Sequence, residues 1–268
     1  MRGVRRCFPS ATLLALAALA AAIFFSPTHA NEAAKPVTCN APVEMTRLDF
    51  PLTRTGPRLA AGQPITIVTI GSSSTAGAGA SSAAMSYPSR LAVELKKLFP
   101  KASINVINRG VNGETASDML ARFDQGALAE KPDLVIWQVG SNSVLRDQPI
   151  APAGALIREG LRKLKSAQAD VILMNPQYAP KVIAKKDVQG MVDLILAAAK
   201  ENSVDLFQRY AVMRYWRLNA KIPFEGFLSG DELHMNDWSY GCVAKLLAGS
   251  IAEAATRPHL TAGATAGR

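Results

Sequence analysis

The chain is poor in the residues from which metal centres and covalent staples are made. Its 268 residues include three cysteines and three histidines. No Cys-x-x-Cys pair occurs and no histidines cluster, so the ligand set for a Cys/His metal site is too thin. Aromatic residues are scarce at 6%. The formal charge is +9, yet no dense Lys/Arg run carries it. That argues against nucleic acid as a partner and leaves a soft attraction to acidic surfaces. An apolar run long enough for a membrane span, roughly 20 residues, is also missing. The one candidate, 11-ATLLALAALAAAIFF-25, is shorter.

That short run reads instead as the core of a secretory signal. Arg2, Arg5 and Arg6 precede it, and 26-SPTHA-30 ends in small residues suited to cleavage after Ala30. The expectation is export, to the periplasm or outside, with no stable membrane insertion. Three arginines leave with residues 1–30, lowering the charge from +9 to +6. About 238 residues remain, enough for one well-cored α/β domain. Cys7 also leaves. Cys39 and Cys242 then either form one disulfide or stand apart as a free arm thiol and a buried thiol, and the spacing leaves both readings open.

Residues 31–60 carry scattered prolines and no sustained period, and read as an irregular N-terminal arm. From residue 61 to 257 short β-branched runs alternate with amphipathic ones. ITIVTI (65–70) precedes YPSRLAVELKKLF (87–99), and INVIN (104–108) precedes ETASDMLARFDQ (114–125). DLVIWQV (133–139), PAGALIREGLRKLKS (152–166), DVILMN (170–175), DVQGMVDLILAAAKEN (187–202) and VDLF (204–207) continue the series. Near-continuous apolar strands separated by helices specify a parallel sheet covered on both faces. This is a three-layer α/β/α fold of about five parallel strands. Residues 258–268 read as a flexible tail.

In open parallel sheets the ligand site lies at the carboxyl ends of the strands. Those ends are Gly71-Ser72-Ser73-Ser74-Thr75, then 108-NRGVNGET-115, then Gly140-Ser141-Asn142-Ser143. Any one of these turns alone is more simply a helix cap. A phosphate cradle fits poorly: 77-GAGASS-82 ends in serine where a dinucleotide fingerprint needs glycine, the second strand ends without an acidic residue, and no lysine occurs between Arg58 and Lys96. A flavodoxin-type phosphate loop, which uses serine and threonine, is harder to exclude. On balance no nucleotide, cofactor or metal is expected.

The histidines sharpen the reading. His29 belongs to the leader and His259 to the tail, which leaves His234 in 229-SGDELHMNDWSYG-241. A lone histidine is most often a satisfied surface or core residue. Here Asp231 stands three residues before it, a spacing that on a turn lets a carboxylate reach the imidazole and fix its tautomer. With a serine-rich turn elsewhere, this is the constellation of a Ser–His–Asp relay.

The ordered set Gly-x-Ser-x-Thr at 71–75, the glycine of NxGxxGxT at 113, Gly-x-Asn at 140–142 and Asp-x-x-His at 231–234 resembles the SGNH, or GDSL, hydrolase family. The resemblance spans roughly residues 65–251 and implies the flavodoxin-like three-layer fold already suggested by periodicity. It also implies roles: Ser73 as nucleophile, His234 as base and Asp231 as its orienting partner. The oxyanion hole would comprise the Ser73 and Gly113 N–H groups and the Asn142 amide. Two positions depart from the family pattern, Ser72 and Ser143, each where Asp is usual. The G-x-S-x-G elbow of α/β-hydrolases is excluded because position 75 is Thr.

The function expected is a serine esterase acting on an O-acylated carbohydrate, with short acyl groups such as acetyl. Rivals are an acyltransferase to a glycan hydroxyl, a lysophospholipase or thioesterase, and a non-catalytic glycan-binding module using Trp137, Trp238 and Tyr240. Arg109 and Arg146 flank the site motifs and are candidates to meet an acidic substrate.

Overall fold

A computed structural model of the chain describes residues 38–257. The expected leader (1–30) and tail (258–268) lie outside the described residues. Five strands, β1 (Ile65–Gly71), β2 (Ile104–Gly110), β3 (Leu134–Gln138), β4 (Asp170–Met174) and β5 (Asp205–Phe207), form one sheet in the order β2-β1-β3-β4-β5. Every pairing is parallel. β3 is buried at every residue and β1 at all but Thr66, as near-continuous apolar runs require of strands covered on both sides.

Two helix pairs supply the cover. Tyr87–Leu98 packs on Asp237–Thr256, and Ile150–Ser166 packs on Val188–Glu201. At the centre Trp137 is fully buried, edge-on to Phe123 with ring centroids 4.8 Å apart. Its burial makes it core, not a glycan platform. Tyr240 is likewise fully buried, its hydroxyl donating to the Ala78 carbonyl at 2.6 Å.

The lead-in is more ordered than its lack of period suggests. Residues 43–46 and 55–60 are short helices, and Leu48, Leu52 and Leu59 join the core. Carboxylates at the amino ends of distant strands hold its backbone: Asp170 accepts from Thr55 N at 2.7 Å, and Asp205 from Phe50 N at 2.9 Å. The two open readings of the cysteines resolve to a disulfide, Cys39–Cys242, with Cα atoms 5.4 Å apart. A helix not expected from the sequence, Arg209–Leu218, follows β5.

Candidate active site

Register sets the site. β1 pairs with β2 so that Gly71 lies opposite Gly110, and with β3 so that Ile70 lies opposite Trp137. The three following turns therefore emerge together at one sheet edge. The first bends at Ser72, which is extended, into a single helical turn, Ser73–Ala76. The Ser72 N–H and hydroxyl and the Thr75 hydroxyl all donate to one atom, Oε1 of fully buried Gln138 at the end of β3, at 2.9, 3.1 and 3.2 Å. Position 72 thus has a use for a donor that an aspartate could not supply.

Ser73 Oγ lies 2.8 Å from His234 Nε2, and His234 Nδ1 lies 2.5 Å from Asp231 Oδ2. Asp231 occupies a tight turn and collects more than the ring: its Oδ1 accepts from the Leu233 N–H at 3.0 Å, the His234 N–H at 2.9 Å and the Ser229 hydroxyl at 2.8 Å. Burial works to raise the carboxyl's pKa, but the bonds from the His234 ring and backbone, Ser229 and Leu233 outweigh it and hold it well below the usual carboxylate range. Asp231 therefore stays ionised and fixes the imidazole with Nδ1 as donor, leaving Nε2 to accept from Ser73.

The turn is also pressed into place from the side. Gly79 sits at φ +88°, and a Cβ there would lie 2.6 Å from the Met235 carbonyl and 2.8 Å from the His234 Cβ. Only glycine accepts both that dihedral and that contact. Ser81 clasps the far end of the same loop, its N–H and hydroxyl donating to Asp237 at 2.8 and 2.6 Å. The GAGASS stretch is thus packing for the histidine turn.

The second and third turns join beside Ser73. Val111 N donates to Gly71 O at 3.0 Å, anchoring the Gly113 loop to the end of β1. Thr115 and Asp118 form a capping box that ends this loop and starts the next helix. From the other side Asn142 Nδ2 donates to the Glu114 carbonyl at 2.8 Å, and Arg146 donates to the Gly113 carbonyl at 2.6 Å. Gly113 has φ +81°. Among the described residues the N–H groups of Ser73 and Gly113 have no protein acceptor, and Asn142 keeps one amide hydrogen beyond the Glu114 bond. All five expected site residues are thereby brought to one edge, three in direct contact and two through backbone bonds. Arg146 braces the Gly113 loop, and Arg109 is ion-paired with Glu130. Sequence reading missed Gln138, and the signal for it was slight: a single polar residue closing an otherwise apolar strand.

A model of the non-GDSL lipase-like family matches residues 38–257. The chain belongs to that family. The absence of the GDSL signature agrees with the turn after β1, which reads Gly71-Ser72-Ser73-Ser74. As a member of the non-GDSL lipase-like family, the chain is 32% identical over 94 residues to an acetylxylan esterase of Geobacillus stearothermophilus, covering 31% of this chain and 43% of that protein. It is 29% identical over 103 residues to an arylesterase of Vibrio mimicus, covering 38% and 51%. The chain thus spans about half the length of these curated relatives. Among solved structures, a two-domain esterase active on acetylated mannans superposes with a TM-score of 0.67 at 21% identity, over 80% of this chain and 56% of that one. A putative lipolytic protein of the G-D-S-L family from Desulfitobacterium hafniense gives 0.59 at 23%, over 69% and 99%. These likenesses establish the three-layer SGNH-type fold for this family member.

Proposed function

We propose that the protein is a serine esterase that removes short acyl groups, acetyl foremost, from carbohydrate hydroxyls. The observation that carries the reading is the unbroken line from Ser73 Oγ through His234 to Asp231, at 2.8 and 2.5 Å. In the first half-reaction Ser73 Oγ bonds to the ester carbonyl carbon while its proton passes to Nε2. The oxyanion meets the Ser73 N–H, the Gly113 N–H and the Asn142 amide, and loss of one such donor raises the barrier by about 2.7–4 kcal/mol. The carbon–oxygen bond to the sugar then breaks and the leaving oxygen takes the proton. In the second half-reaction water repeats the sequence against the acyl-enzyme and regenerates Ser73.

Carbohydrate esters as substrate are supported by the similarity to proteins described as acetylxylan esterase and as active on acetylated mannans. The glycan-binding alternative loses two of its three aromatics, because Trp137 and Tyr240 are buried, and the half-buried Trp238 packs edge-on to Trp216. Export is supported by the basic-then-apolar opening of the chain and by the Cys39–Cys242 bond, which suits an oxidising compartment.

The test is hydrolysis of p-nitrophenyl acetate and of longer acyl esters by the parent, Ser73→Ala and His234→Ala. We expect turnover that falls at least about 10³-fold in both variants and that declines with acyl length. An inert parent, or a Ser73→Ala variant as active as the parent, would refute the reading.

A further inference from the structure

Beneath the catalytic edge runs a chain of buried hydrogen bonds that the relay does not use. It begins at the Gln138 Oε1 that gathers the nucleophile turn. The other end of that amide, Nε2, approaches Ser141 Oγ at 3.5 Å, and Ser141 begins the short helix that carries Asn142. The Ser141 hydroxyl donates in turn to Gln177 Oε1 at 2.8 Å. Gln177, 2% exposed and three residues beyond β4, also accepts from Arg209 NH2 at 3.0 Å. Its Nε2 donates to the carbonyl of Leu233, the residue before His234, at 3.4 Å. Two glutamines in series thus touch the nucleophile turn, the Asn142 helix and the histidine turn.

Arg209 decides which way the second amide faces. It is fully buried, its Nε donates to the Asn175 carbonyl at 3.1 Å, and its NH1 has no partner among the described residues. A guanidinium can only donate, so the Gln177 atom facing it must be the carbonyl oxygen. The amide's NH₂ is thereby turned toward Leu233, whose carbonyl can only accept. Ser141, which can do either, adapts. The arrangement leaves one orientation of Gln177, fixed by a cation with no role in the chemistry.

We propose that Gln177 is a positioning residue that holds the His234 turn in register with the Asn142 helix, its orientation locked by Arg209. The proposal rests on the serine-esterase reading for its consequence in rate, though not for its consequence in structure. Gln177→Glu separates this role from simple packing. The carboxylate keeps the acceptors for Ser141 and gains an ion pair with Arg209, yet it cannot donate to Leu233 and sets an acceptor against an acceptor. A residue that only fills the core would survive that change.

The experiment measures p-nitrophenyl acetate kinetics, melting temperature and the low-field proton NMR signal of the His234 Nδ1–H in the full chain. Parent, Gln177→Glu, Ser73→Ala and His234→Ala are compared, the last assigning the signal. We expect Gln177→Glu to melt at or above the parent, to keep KM within about twofold and to lose kcat by about 10- to 100-fold, with its low-field signal shifted or broadened. A parent-like signal overturns the proposal, whatever the rate does, and so does parent-like kcat. If the parent shows no turnover, or Ser73→Ala retains it, the esterase reading fails instead, and the signal alone judges Gln177. Should Gln177→Glu not fold, Gln177→Met, which keeps the volume and removes both ends of the amide, is held to the same signal.

Discussion

Asp231 gives two kinds of support with one side chain: it orients the imidazole and closes its own turn through Ser229, Leu233 and the His234 N–H. Asp231→Asn keeps acceptors for the backbone but presents an amide to Nδ1 and so favours the wrong tautomer. We expect kcat to fall about 10³- to 10⁴-fold with a melting temperature close to the parent's, checked by steady-state kinetics beside a thermal melt. Gly79 acts by being absent. In Gly79→Ala the new methyl meets the His234 Cβ and the Met235 carbonyl at under 3 Å, so the histidine must move. A displacement of that size costs about 10²-fold in rate, and the same pair of measurements will show a loss of activity larger than the loss of stability. The reason for the second glycine in 77-GAGASS-82 was not legible beforehand, because its neighbour is 155 residues away in the chain. His234 and Asp231 were legible because their relation is local.

Among the elements, strands and long helices were readable wherever burial imposed a period. β1 and β3 are covered on both faces and announce it in near-continuous apolar and β-branched residues. The lead-in was not readable, since what orders residues 38–60 is remote: Asp170 and Asp205 capture its N–H groups, and Cys242 captures Cys39. The helix Arg209–Leu218 escaped for a related reason. It begins with a buried arginine, a residue that sequence reading assigns to solvent, and its start is capped by Asn175 Oδ1 from beyond β4, 2.9 Å from Tyr210 N. Gln138 and Gln177 are polar residues closing apolar segments, and nothing in their own neighbourhoods distinguishes them from chain exits. The disulfide gives this scale its prediction. Cys39→Ser/Cys242→Ser, or reduction of the parent, is expected to cost about 2–5 kcal/mol, which lowers the melting temperature by roughly 5–15 °C for a domain of this size. Differential scanning calorimetry with and without reductant measures it.

The whole molecule carries a pH dependence that originates far from the catalytic edge. Burial raises the Asp205 carboxyl, and although the Phe50 and Asp49 N–H groups work to lower it, it ends at about 6. An acid whose pKa is higher folded than unfolded binds its proton more tightly in the native state. Its contribution is therefore complete below the unfolded value of 3.8 and is lost as pH rises through about 6. The loss is of order 3 kcal/mol at most. Asp205→Asn keeps an acceptor for the Phe50 N–H and has nothing to ionise. Denaturant midpoints of parent and variant should converge near pH 4 and separate by pH 7, with the variant the more stable. Identical profiles would mean that Asp205 ionises at no cost.

The bond between Cys39 and Cys242 encloses 203 residues of sequence separation, and within that span lie Ser73 and, 161 residues later, His234. A protease that cuts once between Ser73 and Asp231 puts the serine on one fragment and the Asp231–His234 pair on the other. In most enzymes the two pieces would be free to part. Here the fragments share a covalent link, so each remains at high effective concentration for the other, and the buried sheet between them supplies the surface on which they re-dock. A nicked molecule would migrate as two bands only after reduction, and until then it would keep Ser73 within reach of His234. That would be a form of durability distinct from melting temperature: tolerance of a broken backbone.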